Sequence, residues 1–98
     1  MEPANAVQDL DLVVGRVTFA ESHRGARGPS ALLKLDLGRR GEAQAPLPVR
    51  IDEAQELVGR QVVCAIGGEE VVVLAVHSSE GVVVLHPARE VEEGSPVA

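Results

Sequence analysis

Valine is the residue that most limits what this chain can fold into. Seventeen of the 98 residues are valine, and they stand in short runs separated by glycine, proline and polar turns. Because valine is stiff about χ1 and packs well on a pleated surface, such runs favour strands over helices. The segment 11–20 has Gly15 near its middle, which predicts a bulge or a sharp bend of the kind that barrels need. The chain is therefore expected to be an all-β domain.

The predicted strands follow one another with one interruption. They cover residues 11–20, 31–37, 47–51, 61–66, 71–77 and 82–86. The interruption is a predicted helix over 52–58, where Asp52 can cap the first turn and Gln55 completes a capping-box pattern. A single short helix between the third and fourth strands predicts a five-stranded Greek-key barrel, the OB-fold. A small β-sandwich fits the same spacing of short strands and turns.

Charge is unevenly distributed along the chain. The whole chain has nine basic and fifteen acidic residues, a net charge of −6. Residues 13–50 have seven basic and three acidic residues (+4), residues 51–98 have two and nine (−7), and the first twelve residues add −3. Nucleic-acid binding depends on cations that displace counterions from phosphate, so a general affinity for polyphosphate is excluded. An anionic partner is expected to contact only the first three strands and their loops.

Residue types that perform catalytic or metal chemistry are few. Cys64 lies in an apolar run and is expected to be a small buried hydrophobe. None of the histidines, His23, His77 and His86, has a second ligand at metal-binding spacing. No nucleophile, cofactor or phosphate-loop signature is present, so neither an enzyme nor a metal nor a cofactor is predicted. Phe19 is the only aromatic residue, which argues against the usual platform for stacking bases.

The sequence contains no segment typical of membrane insertion or secretion. No apolar run approaches the length of a membrane span. The residues after Met1 lack a basic segment followed by an apolar stretch. We therefore expect a cytoplasmic protein without a membrane partner.

Four segments carry motifs in a characteristic order. Residues 11–17 have the sequence D-L-V-V-G-R-V, and residues 21–38 begin E-S-H-R-G-A-R-G-P-S. Residues 56–63 and 83–91 have the sequences E-L-V-G-R-Q-V-V and V-V-L-H-P-A-R-E-V. Together they resemble, in a shortened form, the tRNA-binding OB domain of CsaA-type secretion chaperones and of the C-terminus of some methionyl-tRNA synthetases. The corresponding family motifs open with D-[IL]-R-V-G-x-[IV] and close with V-V-L-L-x-P-x-[RK]-E-V.

This resemblance implies a domain organisation and a function. It implies an OB-fold barrel over residues 11–98 that ends in an acidic tail, and a homodimer held by the flanking segments 1–10 and 87–98. It implies a non-catalytic protein that binds tRNA or structured RNA, with a chaperone role in protein export proposed for the CsaA branch. The alternative is a dimer that binds unfolded or exported polypeptide and has lost RNA binding.

The resemblance also implies a set of RNA-contacting residues. Carried over by position, they are Arg24 and Arg27 in the first loop, Lys34 on the second strand and Arg50 on the third. Each would make a charge-assisted contact to phosphate, and arginine stacking would replace the missing aromatic residues. The chain departs from the family pattern after Ile66, where a short turn replaces a longer loop that supplies RNA-facing groups.

Overall fold

Antiparallel strands make up about half of residues 10–97, the part of the chain that this computed structural model describes. The elements of that part are β1 (Leu12–Ser22), β2 (Ala31–Asp36), a 3₁₀ turn (Gly38–Arg40), β3 (Glu42–Leu47), α1 (Ile51–Gln55), β4 (Gln61–Gly67), β5 (Glu70–Val73), β6 (Ala75–Ser78) and β7 (Gly81–Val84). Five strands form one sheet in the order β3-β2-β1-β4-β5, and β6 pairs with β7 in a separate hairpin. Because β5 also packs beside β3, the sheet nearly closes into a barrel. The predicted OB-type barrel, with its short helix between β3 and β4, is confirmed.

β1 is the strand that both halves of the barrel share. Its residues 12–16 pair with β4, and its residues 16–22 pair with β2. The pairing with β2 shifts register between Val17 and Phe19, which leaves Thr18 as a bulge. A bulge bends a strand and increases its twist, so β1 can follow the curve of the barrel.

Gly15 lies at a close approach between β1 and the end of β2, and the predicted bulge is not at this residue. The bulge of β1 is at Thr18. Gly15 pairs with Val62 in regular register. A Cβ atom at this position would lie 2.7 Å from Cδ2 of Leu37 and 3.4 Å from the carbonyl oxygen of Asp36. A side chain at this position would have to displace the buried Leu37 side chain where the end of β2 passes β1, and the bend of β1 occurs further along, at Thr18.

Aliphatic side chains from the strands fill the barrel. The largest fully buried side chains are Leu33, Leu35, Leu47, Val13, Val17, Val62 and Cys64. α1 packs on the same core through Ala54, which is fully buried. The Gln55 side-chain amide donates a hydrogen bond to the carbonyl of Ala20 at 3.0 Å and so ties α1 to β1.

The prediction of a third strand over residues 47–51 is wrong. β3 covers Glu42–Leu47, a segment of alanine, proline and polar residues with low β propensity. It forms a strand because it pairs in unbroken register with the whole of β2. Pro46 is tolerated because β3 is at the edge of the hydrogen-bonded sheet.

The helix start and the fifth predicted strand also differ from the prediction. α1 begins one residue earlier than predicted and has no side-chain cap, and Asp52 pairs with Arg50 instead of capping. The predicted strand 71–77 is divided at Leu74, whose amide N–H donates to the carbonyl of Val63 in β4. This hydrogen bond continues the pairing with β4, whereas the carbonyl of Leu74 accepts the N–H of Leu85, so the chain leaves the sheet at Leu74 and β6 forms the hairpin with β7.

The C-terminal segment, residues 90–97, lies along the first half of β1. The amide N–H of Gly94 donates to the carbonyl of Val14 at 2.7 Å, and that of Val97 donates to the carbonyl of Leu12 at 2.9 Å. β2 pairs only with the second half of β1, so this edge of β1 is available to the segment. The predicted acidic tail is therefore part of the barrel wall.

Two side chains of the barrel hold the C-terminal segment in place. The guanidinium of Arg16 forms ion pairs of 2.5 Å with both Glu90 and Glu93. The buried Gln61 donates to the carbonyl of Val91 at 2.6 Å and accepts the Val91 N–H at 3.0 Å. These contacts satisfy the polar groups of Gln61 and join the segment to both β1 and β4.

We expect Gly94→Ala to destabilise the fold by about 2–4 kcal/mol. Gly94 has a φ of +88°, and a Cβ atom there would lie 2.5 Å from the carbonyl oxygen of Leu37. Backbone strain and steric overlap therefore both displace the C-terminal segment. Denaturant unfolding followed by circular dichroism measures the loss. Gly67→Ala is the control, because Gly67 has open space and no positive φ; equal losses in the two variants would contradict the prediction.

We expect Glu93→Gln to lower stability at neutral pH and to have little effect in acid. The hydrogen bond from Arg16 lowers the pKa of Glu93 below its ordinary value of 4.5. A carboxylate with a lowered folded-state pKa stabilises the fold above its unfolded pKa, and the contribution is lost as the pH falls through the folded value. The difference in unfolding free energy between wild type and variant should thus be largest near neutral pH and shrink below about pH 4.5. Glu80→Gln, on the turn between β6 and β7, is the control; a pH-independent difference for Glu93→Gln would contradict the prediction.

Candidate functional site

The outer face of β1, β2 and β3 carries a cross-strand row of exposed side chains. The register places Phe19 beside Lys34, and Lys34 beside Gln44. Nζ of Lys34 lies 5.2 Å from the centroid of the Phe19 ring, a cation–π contact. A shallow groove of about 370 Å³, lined in part by Thr18 and Glu42, runs beside the row. OB-folds bind oligonucleotides and oligosaccharides on this face.

The bulge in β1 is the reason that Phe19 is exposed. Val13 and Val17 point into the core, so strict alternation along β1 would also bury position 19. The extra residue at Thr18 reverses the alternation, and as a result Phe19 is 47 % exposed while Ala20 is buried. The local sequence gives no signal of this reversal, because a register shift is defined only by the partner strand. The structure thus adds Phe19 to the candidate residues.

The loop between β1 and β2 presents Arg24 and Arg27 to solvent. His23 closes its base: its amide N–H donates to the carbonyl of Ser30 at 3.0 Å, and its Nδ1 lies 2.9 Å from Ser30 Oγ. Gly25 has a φ of +83°, which side chains rarely adopt, and so turns the chain between the two arginines. Both arginines therefore lie on one closed loop at the end of the sheet.

The cations differ in whether a carboxylate already neutralises them. Within residues 10–97, the ion-paired cations are Arg16 with Glu90 and Glu93, Arg40 with Asp11, and Arg50 with Asp52 and Glu53. The cations without an ion pair in that part of the chain are Arg24, Arg27, Lys34, Arg39, Arg60 and Arg89. An unpaired cation can meet an external anion without first giving up a partner. Three of the four residues predicted from the resemblance belong to this group.

Arg50 differs from the other three predicted residues. It is not on the third strand, as predicted, because β3 ends at Leu47; it immediately precedes α1. Its guanidinium lies 3.4 Å from the carboxylate of Asp52 and 3.3 Å from that of Glu53. Such exposed ion pairs are weak, but they reduce the local positive charge. The structure places the other three residues together on the β1-β2 hairpin and Arg50 outside it.

The loop between β4 and β5, the second loop that OB-folds use for binding, is a tight turn here. The two strands pair up to Gly67 and Glu70, which leaves Gly68 and Glu69 as the turn. The short hairpin turn predicted after Ile66 is therefore confirmed. Glu69 in the turn and Glu70 beside it are carboxylates, and the turn has no cation, so it does not extend the basic surface.

Two residues of reactive type, Cys64 and His86, take part in the packing and hydrogen bonding of the barrel. Cys64 is fully buried, and desolvation raises the pKa of its thiol to about 11, so little thiolate exists at neutral pH. Nδ1 of His86 lies 2.7 Å from the carbonyl oxygen of Gln61. Residues 10–97 contain no group of three or more potential metal ligands and no helix that is long and apolar enough to cross a membrane.

Solved structures share this fold over their whole length. The chaperone CsaA from Bacillus anthracis is 29 % identical, with a TM-score of 0.79 over 100 % of this chain and 99 % of that chain. Two others show the shared fold alone: the CsaA chaperone protein from Picrophilus torridus (23 % identity, TM-score 0.84, 100 % of both chains) and the MetRS-related protein from Pyrococcus horikoshii (17 %, 0.79, 100 % of this chain and 98 % of that one). No family model and no curated protein matches the sequence. The resemblance that the four motifs indicated is confirmed.

Proposed function

We propose that this chain, a CsaA-type OB-fold protein by its full-length likeness, is a non-catalytic cytoplasmic protein that binds tRNA or structured RNA without a cofactor. The observation that carries the proposal is a set of three cations, Arg24, Arg27 and Lys34, on the same hairpin as the exposed ring of Phe19. Within residues 10–97 none of the three has a carboxylate partner. This hairpin contributes to the face that OB-folds use for oligonucleotides.

Only three cations supply the proposed electrostatic contribution to RNA affinity. Each cation that meets a phosphate releases counterions, so three contacts predict a slope of log K against log [salt] of about −2 on single-stranded segments. The guanidinium of Arg24 or Arg27 can bond a phosphate through two N–H groups or stack on a base, whereas Lys34 supplies a point charge. The acidic residues of 51–98 repel a polyanion, so RNA is expected to approach the β1-β2-β3 face alone.

Phe19 provides a surface on which one base can stack. In the free protein the ammonium of Lys34 lies over this ring. An exposed cation–π contact contributes about 0.5–1 kcal/mol, whereas stacking of a base on an aromatic side chain contributes about 1–3 kcal/mol. A base can therefore displace the ammonium from the ring, and the displaced ammonium can then contact a neighbouring phosphate.

The proposal includes a homodimer held by the segments that flank the barrel. Leu10 and Val91 lie in these segments and are 57 % and 38 % exposed, which leaves apolar side chains for a partner to cover. Residues 1–9, which the resemblance assigns to the same contact, lie outside the described residues. A dimer doubles the number of cations that one RNA molecule can contact, which offsets the small number on each chain.

We expect the double variant Arg24→Ala/Arg27→Ala to bind RNA at least about tenfold more weakly, because it lacks two of the three proposed phosphate contacts. The salt slope should become shallower by about 0.7 for each cation removed. Phe19→Ala should weaken binding without changing the slope, since stacking involves no net charge. Gel-shift titrations with total tRNA at several salt concentrations measure both quantities.

Arg60→Ala is the matched control for these variants. Arg60 is exposed and has no ion pair within residues 10–97, but it follows α1 and lies outside the β1-β2 hairpin. Its loss should leave the affinity unchanged. The proposal fails if the wild-type protein gives no shift at about 10⁻⁴ M and low salt, or if Arg60→Ala weakens binding as much as the double variant. The chain has no Trp or Tyr, so absorbance at 260 nm also reveals RNA that co-purifies with it.

Sedimentation equilibrium is expected to give twice the mass of one chain. Val91→Lys should shift the protein toward monomer, because a charge placed in an apolar contact remains without a partner. Val72→Lys is the control, since Val72 is 51 % exposed but lies on β5, outside the flanking segments. A monomeric wild type, or a dimer that persists in Val91→Lys, would count against the proposed interface.

A further inference from the structure

The outer face of β1, β2 and β3 carries an exposed carboxylate as well as its cations. The register places Glu42 opposite Asp36, and Gln44 follows Glu42 by two residues, so both β3 side chains lie on the outer face. Asp36 accepts the N–H of Gly38 at 2.9 Å. Glu42 is exposed and has no ion pair within residues 10–97. Its carboxylate is therefore free to accept hydrogen bonds from a ligand.

The position of this carboxylate is unfavourable both for the sheet and for an RNA backbone. Like charges directly opposite each other destabilise a pair of strands, and Glu42 faces Asp36 across β2 and β3. A carboxylate also repels the phosphates of a bound polyanion. The part of RNA that it attracts is the edge of a base, where N–H groups can donate to it. Glu42 is thus suited to contact a base and unsuited to hold the backbone.

The groove beside the Phe19 ring brings several polar groups around one space. Its volume of about 370 Å³ is within the range of small-molecule sites, and its lining includes Thr18, Lys34, Glu42 and Gln44. The hydroxyl of Thr18 already donates to the carbonyl of Lys34 at 3.3 Å. Glu42 offers two acceptor oxygens, the Gln44 amide offers a donor and an acceptor, and the Lys34 ammonium offers donors. The groove therefore presents paired acceptors on one residue with donors on its neighbours.

Guanine is the RNA base whose edge complements this set of groups. Its Watson–Crick edge has two adjacent donors, N1–H and the N2 amino group, followed by the acceptor O6. Adenine, cytosine and uracil have no two adjacent donors on that edge. One carboxylate can accept both guanine donors, in the same bidentate way that it accepts two N–H groups of an arginine. A donor beside the carboxylate, such as the amide of Gln44, can then bond O6.

We propose that Glu42 and Gln44 make this face selective for an unpaired guanine in single-stranded RNA. The carboxylate accepts N1–H and N2–H of the base, and the amide donates to O6. Positions 19 and 44 are two strands apart, about 10 Å, so the base that stacks on Phe19 is a neighbour of this guanine. Single-stranded RNA supplies bases that are splayed in this way. This selectivity rests on the proposed function, because it assigns a base to the RNA-binding face.

The selectivity is tested with fluorescein-labelled nonanucleotides of uridine that carry one central guanosine, inosine or adenosine. Inosine retains N1–H and O6 but lacks the amino group at N2. Fluorescence anisotropy with the full-length protein at low salt should show the guanosine strand binding about tenfold more tightly than the adenosine strand, because a bidentate contact to a base edge discriminates by about this factor. The affinity of the inosine strand should lie between those of the other two.

Variants of the two groove residues separate their contacts. Glu42→Gln should bind the guanosine and adenosine strands nearly equally, because an amide cannot accept two donors side by side. It removes a like-charge contact, so it should remain folded, which circular dichroism establishes. Gln44→Ala should weaken the guanosine and inosine strands by the same factor, since both bases retain O6. Glu21→Gln is the matched control: Glu21 is an exposed carboxylate of β1 opposite Leu32, outside the groove, and its loss should leave the preference unchanged.

Base preference and overall affinity can fail separately. Arg24→Ala/Arg27→Ala should weaken all three strands by the same factor and keep the preference, because these arginines are proposed to contact phosphate. Equal affinity of the wild-type protein for the three strands, or a preference for guanosine that persists in Glu42→Gln, would overturn the selectivity while RNA binding stands. A tRNA gel shift without oligonucleotide binding at about 10⁻³ M would do the same. Absence of the tRNA shift as well would overturn the proposed function itself.

Discussion

Hydrogen bonding along both edges of β1 is the constraint on which the rest of this structure depends. β4 pairs with its first half, β2 pairs with its second half, and the C-terminal segment takes the edge that β2 leaves free. One strand can serve all three partners only if it bends, and the bulge at Thr18 supplies the bend. The same bulge turns Phe19 to the outside, so the irregularity that helps to close the barrel also exposes the aromatic ring of the candidate site.

The order of the strands converts a division of charge along the chain into a division of charge over the surface. The basic residues 13–50 form β1, β2 and β3, which are consecutive in the chain and adjacent in the sheet. The acidic residues 51–98 form α1 and the strands that follow it. A chain with a net charge of −6 can therefore present, within residues 10–97, unpaired cations on one hairpin and the unpaired carboxylate of Glu56 beside α1. The two surfaces suit partners of opposite charge.

Local pattern was sufficient to predict most strands but failed where pairing overrides propensity. Valine runs and glycine turns are local signals, and they predicted the position of the helix, the β4-β5 turn and the hairpin at the end of the barrel. β3 contains alanine, glutamate and Pro46, which give no such signal, and it is a strand only because β2 lies beside it. The cap predicted at Asp52 failed for a related reason, since this carboxylate pairs with Arg50 instead.

By itself, the sequence determined an all-β fold and the division of its charge, because alternation, turn chemistry and composition are local properties, and its motifs supplied a set of candidate cations. Only the tertiary structure decided which of those cations are unpaired. Arg16 is held by Glu90 and Glu93, partners that lie far away in the chain, whereas Lys34 has no carboxylate partner within residues 10–97. It also decided that Phe19 faces outward and that, among residues 10–97, no strand other than β6 pairs with β7. Both depend on which strands pair and in which register, and pairing between distant segments is not encoded in any one of them.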